Sequence, residues 1–223
     1  MSAEREAILG RVRAALGKRE RDAKAAADAQ ATIAAHAQGP RPRLPSDLVQ
    51  RFLQRATDME STVERIADRS EIPAAVARYL DALELPEVLA QQKSHRGVCW
   101  PELGDLDWTG AGLEIEVRPT TGGDRLGITG AFCAIAETGT LVILSGADTP
   151  TATTLLPDTH IAVLRAGRVV AGMEEAFALI RHELGRLPRA VNMISGPSRT
   201  GDIEQTIVLG AHGPYRVHIL VVA

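Results

Sequence analysis

Apolar positions fall into two rhythms along the 223-residue chain. Near the start, Ile8, Leu9, Val12, Ala15 and Leu16 recur at helical spacing. This predicts a helix over 3–17 with Ser2 as its N-cap. Residues 18–37 are rich in alanine and charge; they can form helix but offer few large side chains to pack it. Gly39-Pro40-Arg41-Pro42-Arg43-Leu44-Pro45 reads as a stiff linker, since each proline fixes φ and removes a donor. This places a boundary near Ser46, with an N-terminal helical arm and linker over 1–45 and an α/β domain over 46–223.

Ser46-Asp47 is placed to cap a helix whose apolar face is Val49, Phe52, Leu53 and Ala56. Residues 62–67 read as strand. Ser70 is placed to cap a second helix, with Ile72, Val76, Tyr79, Leu80 and Leu83 on one face. Short strands are predicted at 97–100 and 113–117, and stronger ones at 140–144, 160–164, 190–194 and 216–222. A helix over about 174–187 separates two of them. Strands alternating with helices imply a mostly parallel sheet flanked by helices, so the class is α/β.

Composition sharpens this picture. Hydrophobic residues are 45% of the chain and aromatics only 3%, so the core must be built from Val, Ile, Leu and Ala. That suits buried parallel strands covered by helices. The net charge of −3 gives no basic field for nucleic acid. The charge is uneven: residues 1–45 hold 9 Lys and Arg against 5 Asp and Glu, and the rest 16 against 23. A basic arm thus precedes an acidic body. It reads either as a solvated helical arm or as a docking element. No run is long enough to span a bilayer, and the N-terminus lacks the apolar stretch of a secretory signal. A cytoplasmic protein is expected. Cys99 and Cys133 lie in apolar surroundings. Two cysteines cannot supply the four thiolates of a typical iron–sulfur site, so no cofactor is expected in this chain.

Four stretches could carry chemistry. Gly122-Gly123-Asp124-Arg125-Leu126-Gly127-Ile128-Thr129-Gly130 is either a binding loop or a turn-rich connection into the core; it lacks the dinucleotide fingerprint. Glu137, in Ala136-Glu137-Thr138-Gly139-Thr140, is a carboxylate wedged between an apolar run and a strand. Such a group serves as nucleophile, base or ligand anchor, or else caps nearby N–H groups. Ser195-Gly196-Pro197-Ser198-Arg199-Thr200-Gly201-Asp202-Ile203-Glu204 comes directly after a predicted strand. It is read as a loop leading into a helix that starts at Thr200 or Asp202. Free N–H groups there, with Arg199 as a clamp, would suit an anion; alternatively Arg199 pairs with Asp202 or Glu204. Last, His212 and Gly213 lie in Gly210-Ala211-His212-Gly213-Pro214, a loop suited to a titrating histidine or to a helix C-cap at Gly210. No set of His, Cys, Asp and Glu has a persuasive metal spacing.

Taken in order, Ala-Glu-Thr-Gly-Thr-Leu (136–141), Leu-Leu-Pro…His-Ile (155–161), Ser-Gly-Pro-Ser-Arg-Thr-Gly-Asp-Ile-Glu (195–204) and Gly-Ala-His-Gly-Pro (210–214) resemble the LUD domain, the lactate-utilization family. The ordered set over 122–222 is specific, although each motif alone is weak. The resemblance implies a fold similar to the NagB/RpiA/CoA-transferase superfamily. It also implies an accessory role in bacterial L-lactate oxidation to pyruvate, with iron–sulfur partner proteins. In that superfamily CoA-transferases use a glutamate near a glycine, to which Glu137-Thr138-Gly139 is loosely similar. Glu137 is therefore the catalytic candidate. Thr138, Gly139, Thr140, Ser195, Gly196, Ser198, Arg199, Thr200, His212 and Gly213 are the ligand-binding candidates, for a small anion such as a carboxylate, acyl-CoA or sugar phosphate.

Overall fold

The computed structural model describes residues 3–17, 23–84, 95–203 and 206–223, in two units, Met1–Pro42 and Arg43–Ala223. The first unit holds α1 (Ala3–Ala15) and α2 (Ala23–Ala35). Neither helix has a buried residue, and Ile8, Val12, Leu16 and Ile33 are exposed. The expected cap Ser2, and residues 18–22 of the Ala-rich segment, lie outside the described residues.

The second unit opens with α3 (Leu48–Asp58), whose N-cap Asp47 accepts a hydrogen bond from the Gln50 amide at 2.9 Å. Its period-3.6 face seats Phe52, Leu53 and Ala56 in the core. After β1 (Thr62–Ile66) comes α4 (Ile72–Ala82), with a proline in its first turn. The cap expected at Ser70 is replaced. A single 3-10 turn, Arg69–Glu71, intervenes, and the Asp68 carboxylate accepts from the Ser70 amide at 2.7 Å. A carboxylate two residues upstream satisfies that orphan N–H first.

The chain continues through β2 (Arg96–Cys99), β3 (Glu114–Val117), β4 (Leu126–Gly130), β5 (Cys133–Ile135) and β6 (Thr140–Leu144). Next come α5 (Ala152–Leu155), β7 (Thr159–Arg165), β8 (Val169–Val170) and α6 (Met173–Leu184). The chain closes with β9 (Val191–Ile194), β10 (Arg199–Ile203), β11 (Thr206–Leu209) and β12 (Arg216–Val222). Six strands form a wholly parallel sheet in the order β1-β12-β7-β4-β2-β3. The expected α/β class and mostly parallel sheet are therefore observed.

Strict alternation fills both faces of this sheet. In β12, Leu220 and Val222 join the cluster under α4, whereas Val217, Ile219 and Val221 join the cluster under α3. In β7, Ile161 goes to the first cluster and Ala162 and Leu164 to the second. A period of two buried on both sides is what a central parallel strand requires.

Two sequence-based expectations are corrected. First, the strands at 140–144 and 190–194 do not join the parallel sheet. They form a second, four-stranded sheet, β8-β5-β6-β9, with antiparallel β5–β6 and β6–β9 pairs. This sheet lies over the α3 side: Ala134 and Leu141 face the main sheet, while Cys133, Ile135 and Val142 face α6. Second, no helix starts at Thr200 or Asp202. Instead β10 and β11 pair antiparallel, with Arg199 opposite Leu209 and Thr200 opposite Val208. Thr200, Ile203, Thr206, Ile207 and Val208 are β-branched, and their density outweighs the helix-start signal of Asp202. Glu204, the other residue read as first-turn, lies outside the described residues.

Candidate functional site

The motif residues nominated from sequence gather at the amino edge of the six-stranded sheet. Ala136–Gly139 is the four-residue tip of the β5–β6 hairpin, closed by Ile135 opposite Thr140 and by the Gly139 amide donating to the Ile135 carbonyl at 3.0 Å. Gly139 has φ +70°, and a Cβ there would sit 2.5 Å from the Ala56 nitrogen. The tip therefore presses directly on the backbone of α3, which only glycine permits. Gly196 is the counterpart in the loop after β9. It has φ +84°, and a Cβ would lie 1.9 Å from the Met59 carbonyl oxygen.

These two contacts bring three hydroxyls into line. Thr138 Oγ1 lies 2.6 Å from Thr140 Oγ1, which lies 2.7 Å from Ser195 Oγ. Thr138 and Ser195 are exposed, while Thr140 is 4% exposed. The chain of hydroxyls thus runs from solvent through the core edge and back. Each hydroxyl can donate once and accept, so the row can present an O–H to an oxyanion.

Of the partners expected for Arg199, Glu204 and the side chain of Asp202 lie outside the described residues. Arg199 donates to the Met59 carbonyl at 2.9 Å and pairs with Glu60 at 3.4 Å. Glu60 itself has φ +66°, a conformation uncommon outside glycine. Arg199 thereby fastens the end of α3 to the β10–β11 pair. Ser198 is tied to the turn before β12: its amide donates to the Pro214 carbonyl, and its carbonyl accepts from Gly210, both at 2.9 Å. Gly213 packs on Ser198, a Cβ there falling 3.1 Å from the serine Cβ. Thr200 is half-buried in β10. Glu137 is half-buried with its amide on the Ala171 carbonyl, and His212 is exposed. Among the described residues no hydrogen bond or ion pair joins Glu137, Arg199 and His212 to one another.

The glycine cluster at 122–130 divides in two. Gly122, with φ +89°, lies in the loop before β4, whose Asp124 is held by Arg118 at 2.8 Å, Thr120 at 2.8 Å and the Thr121 amide at 3.1 Å. The Arg118 guanidinium holds the Asp124 carboxyl down at about 2. Residues 126–130 are buried central strand. Beside them His160 is fully buried, with Nε2 2.8 Å from Thr129 Oγ1 and Nδ1 without a partner among the described residues. Burial pushes its pKa down to about 4, because the charged form is the one desolvation penalises. His218, stacked on Tyr79 at 4.0 Å and 2.8 Å from Thr62 Oγ1, is pushed down to about 4 by the same cause.

The opposite, carboxyl edge holds residues that the sequence pattern does not single out. A cavity of about 490 Å³ opens there. Its wall is built from residues at or just beyond the strand ends: Arg69 after β1, Glu102 after β2, Gly130 at the end of β4, Arg165 at the end of β7, and Val222 at the end of β12. Ligands of open α/β sheets sit at this edge. Arg69 is fixed by both Asp105 oxygens and by the Glu102 carbonyl. Arg168 is fixed by Glu183 and the Phe132 carbonyl, and lies over the Phe132 ring at 4.5 Å. The only signal for them in the sequence is a charged residue close after an apolar strand.

Comparison with known proteins adds the family. The LUD domain model matches residues 101–222. Lactate utilization protein C from Bacillus licheniformis is 33% identical over 129 residues, 55% of this chain and 53% of that protein. The Bacillus subtilis protein of the same name is 32% identical over 129 residues, 56% and 53% of the two chains. That from Shouchella clausii is 39% identical over 99 residues, 44% and 43%. The chain thus matches about half the length of these curated relatives. A solved structure, a DUF162 family protein from Deinococcus radiodurans, has the same fold with TM-score 0.57 at 23% identity, covering 82% of this chain and all of that one. With more than half of its length, residues 101–222, matched by one family model, the chain belongs to the LUD-domain family.

Proposed function

We propose that this chain is an accessory component of bacterial L-lactate oxidation to pyruvate, acting beside iron–sulfur partner proteins that carry the electrons. The observation that carries the reading is its similarity, at 30–39% identity, to relatives called lactate utilization protein C. The chemistry of the donor set supports the division of labour. Cys99 packs in the core under α4 and Cys133 in the core under α6, on different layers. Burial pushes both thiols up to about 11, so both are protonated near neutrality. They do not form a ligand set for a cluster, and the electrons of the reaction are assigned to the partners. Deleting the gene in its host should abolish growth on L-lactate as sole carbon source, and the intact gene should restore it. Undiminished growth on lactate would remove the reading.

A second reading keeps the amino-edge cluster as a ligand site. The chain would be a small-anion-binding enzyme or sensor, for a carboxylate, acyl-CoA or sugar phosphate, with Glu137 as catalytic carboxylate. The continuous Thr138–Thr140–Ser195 hydroxyl chain favours it. A Glu137→Gln chain that folds but fails to restore growth on lactate would favour this reading. Full restoration would count against it.

A further inference from the structure

The carboxyl-edge cavity carries more information than its position. Asp105 neutralises Arg69, and Glu183 neutralises Arg168. Two lining charges remain, the guanidinium of Arg165 and the carboxylate of Glu102, the latter felt by Arg69 only through its charge. Among the described residues neither group has a hydrogen bond or ion pair. Glu102 lies against Gly130, where a Cβ would fall 1.8 Å from its Oε1, so the absence of a side chain at the end of β4 gives the carboxylate its place. The remaining wall is apolar and aromatic: Leu103, Phe132, Val163 and Val222.

A guanidinium has five donors in a fixed fork. Arg69 uses three and Arg168 three, and their partners hold both rigid. Pre-organised donors lose little on binding. Arg165, exposed at the strand end, offers its full fork to a carboxylate. A ligand complementary to one free cation and one free anion has one negative charge and one hydrogen-bond donor. A phosphate dianion would leave a charge unbalanced beside Glu102. The volume of about 490 Å³ falls in the ordinary range for organic ligands, roughly 300–1,000 Å³, and leaves room for an apolar body.

We infer that this cavity is a binding site for a monocarboxylic acid with an apolar body and a hydroxyl or similar donor, Arg165 taking the carboxylate and Glu102 the donor. The site stands apart from the amino-edge cluster and does not rest on the lactate reading, because binding and growth phenotype can fail independently.

Calorimetric titration of the full chain at fixed ionic strength tests it, with L-3-phenyllactate, 3-phenylpropionate and inorganic phosphate as probes. Phenyllactate should bind one to one, more tightly than phenylpropionate, which lacks the hydroxyl. Phosphate should not compete with it. Arg165→Ala should weaken phenyllactate roughly tenfold or more with an unchanged melting temperature, since the side chain is exposed. Glu102→Ala should erase the preference for the hydroxyl acid. Absence of binding by both carboxylates, unchanged affinity in Arg165→Ala, or phosphate binding as tightly as phenyllactate would each overturn the inference.

Discussion

The two edges of the parallel sheet are built from opposite materials. At the amino edge, glycines in left-handed conformations, short hydroxyls and Arg199 are consumed in holding α3, the β5–β6 tip and the β10–β11 pair together. At the carboxyl edge, long charged side chains surround open volume, and two of them lack partners among the described residues. The same family motif can therefore mark architecture as readily as chemistry. The stretches most recognisable in the sequence are, in this structure, largely the stretches that close-pack. The edge with room for a ligand is lined by residues at or shortly beyond the ends of ordinary strands.

The sharpest way to break this contrast is at Gly196. Gly196→Ala adds a Cβ that cannot fit beside the Met59 carbonyl and must adopt positive φ. A loss of about 3–4 kcal/mol is expected, read by urea unfolding. A loss below about 1 kcal/mol, the ordinary cost of a point substitution, would mean the loop moves freely and the amino edge is not closed.

The sheet between the edges makes a comparable prediction through its histidines. In the folded chain His160 and His218 titrate at about 4, and in the unfolded chain near 6.5. The unfolded state therefore binds protons first as pH falls. Stability should be flat above about pH 6.5 and decline down to about pH 4, by about 3 kcal/mol for each histidine. Urea unfolding at a series of pH values checks this. Replacing His160 by Gln should flatten its share of the slope.

Smaller effects separate the two sets of polar groups. Thr140→Val removes the middle of the hydroxyl chain and should cost about 1 kcal/mol. Arg199→Ala leaves the Met59 carbonyl without its donor and should cost about the same. Arg165→Ala should change stability by less than about 0.5 kcal/mol, because the side chain is exposed and no hydrogen bond or ion pair among the described residues is lost with it. Equal costs for Arg199→Ala and Arg165→Ala in one set of melts would erase the distinction between the edges.

Much of the main sheet is legible in the chain because its signals are repeated and long. The seven-residue strands β7 and β12 are apolar on both faces, and α3 and α4 carry full 3.6-period stripes. The second sheet escapes the pattern for a physical reason. Its strands β5 and β8 span three and two residues, too few for a periodic pattern to distinguish sheet membership. The β10–β11 pair mimics a helix start because Asp202 matches a capping pattern locally. The opposing β-branched residues that decide the matter lie several positions further on, as Val208 does opposite Thr200. Arg165 and Glu102 do not stand out in the sequence because a charge after a strand is commonplace. Only the topology, which brings five strand ends to one cavity, gives those charges a shared meaning.

The most direct test of the functional reading is an anaerobic affinity isolation of the tagged chain from lactate-grown cells, with an absorption spectrum and partner identification on the eluate. The lactate-oxidation reading predicts a brown eluate in which iron–sulfur proteins accompany the chain. A colourless eluate containing this chain alone would contradict it.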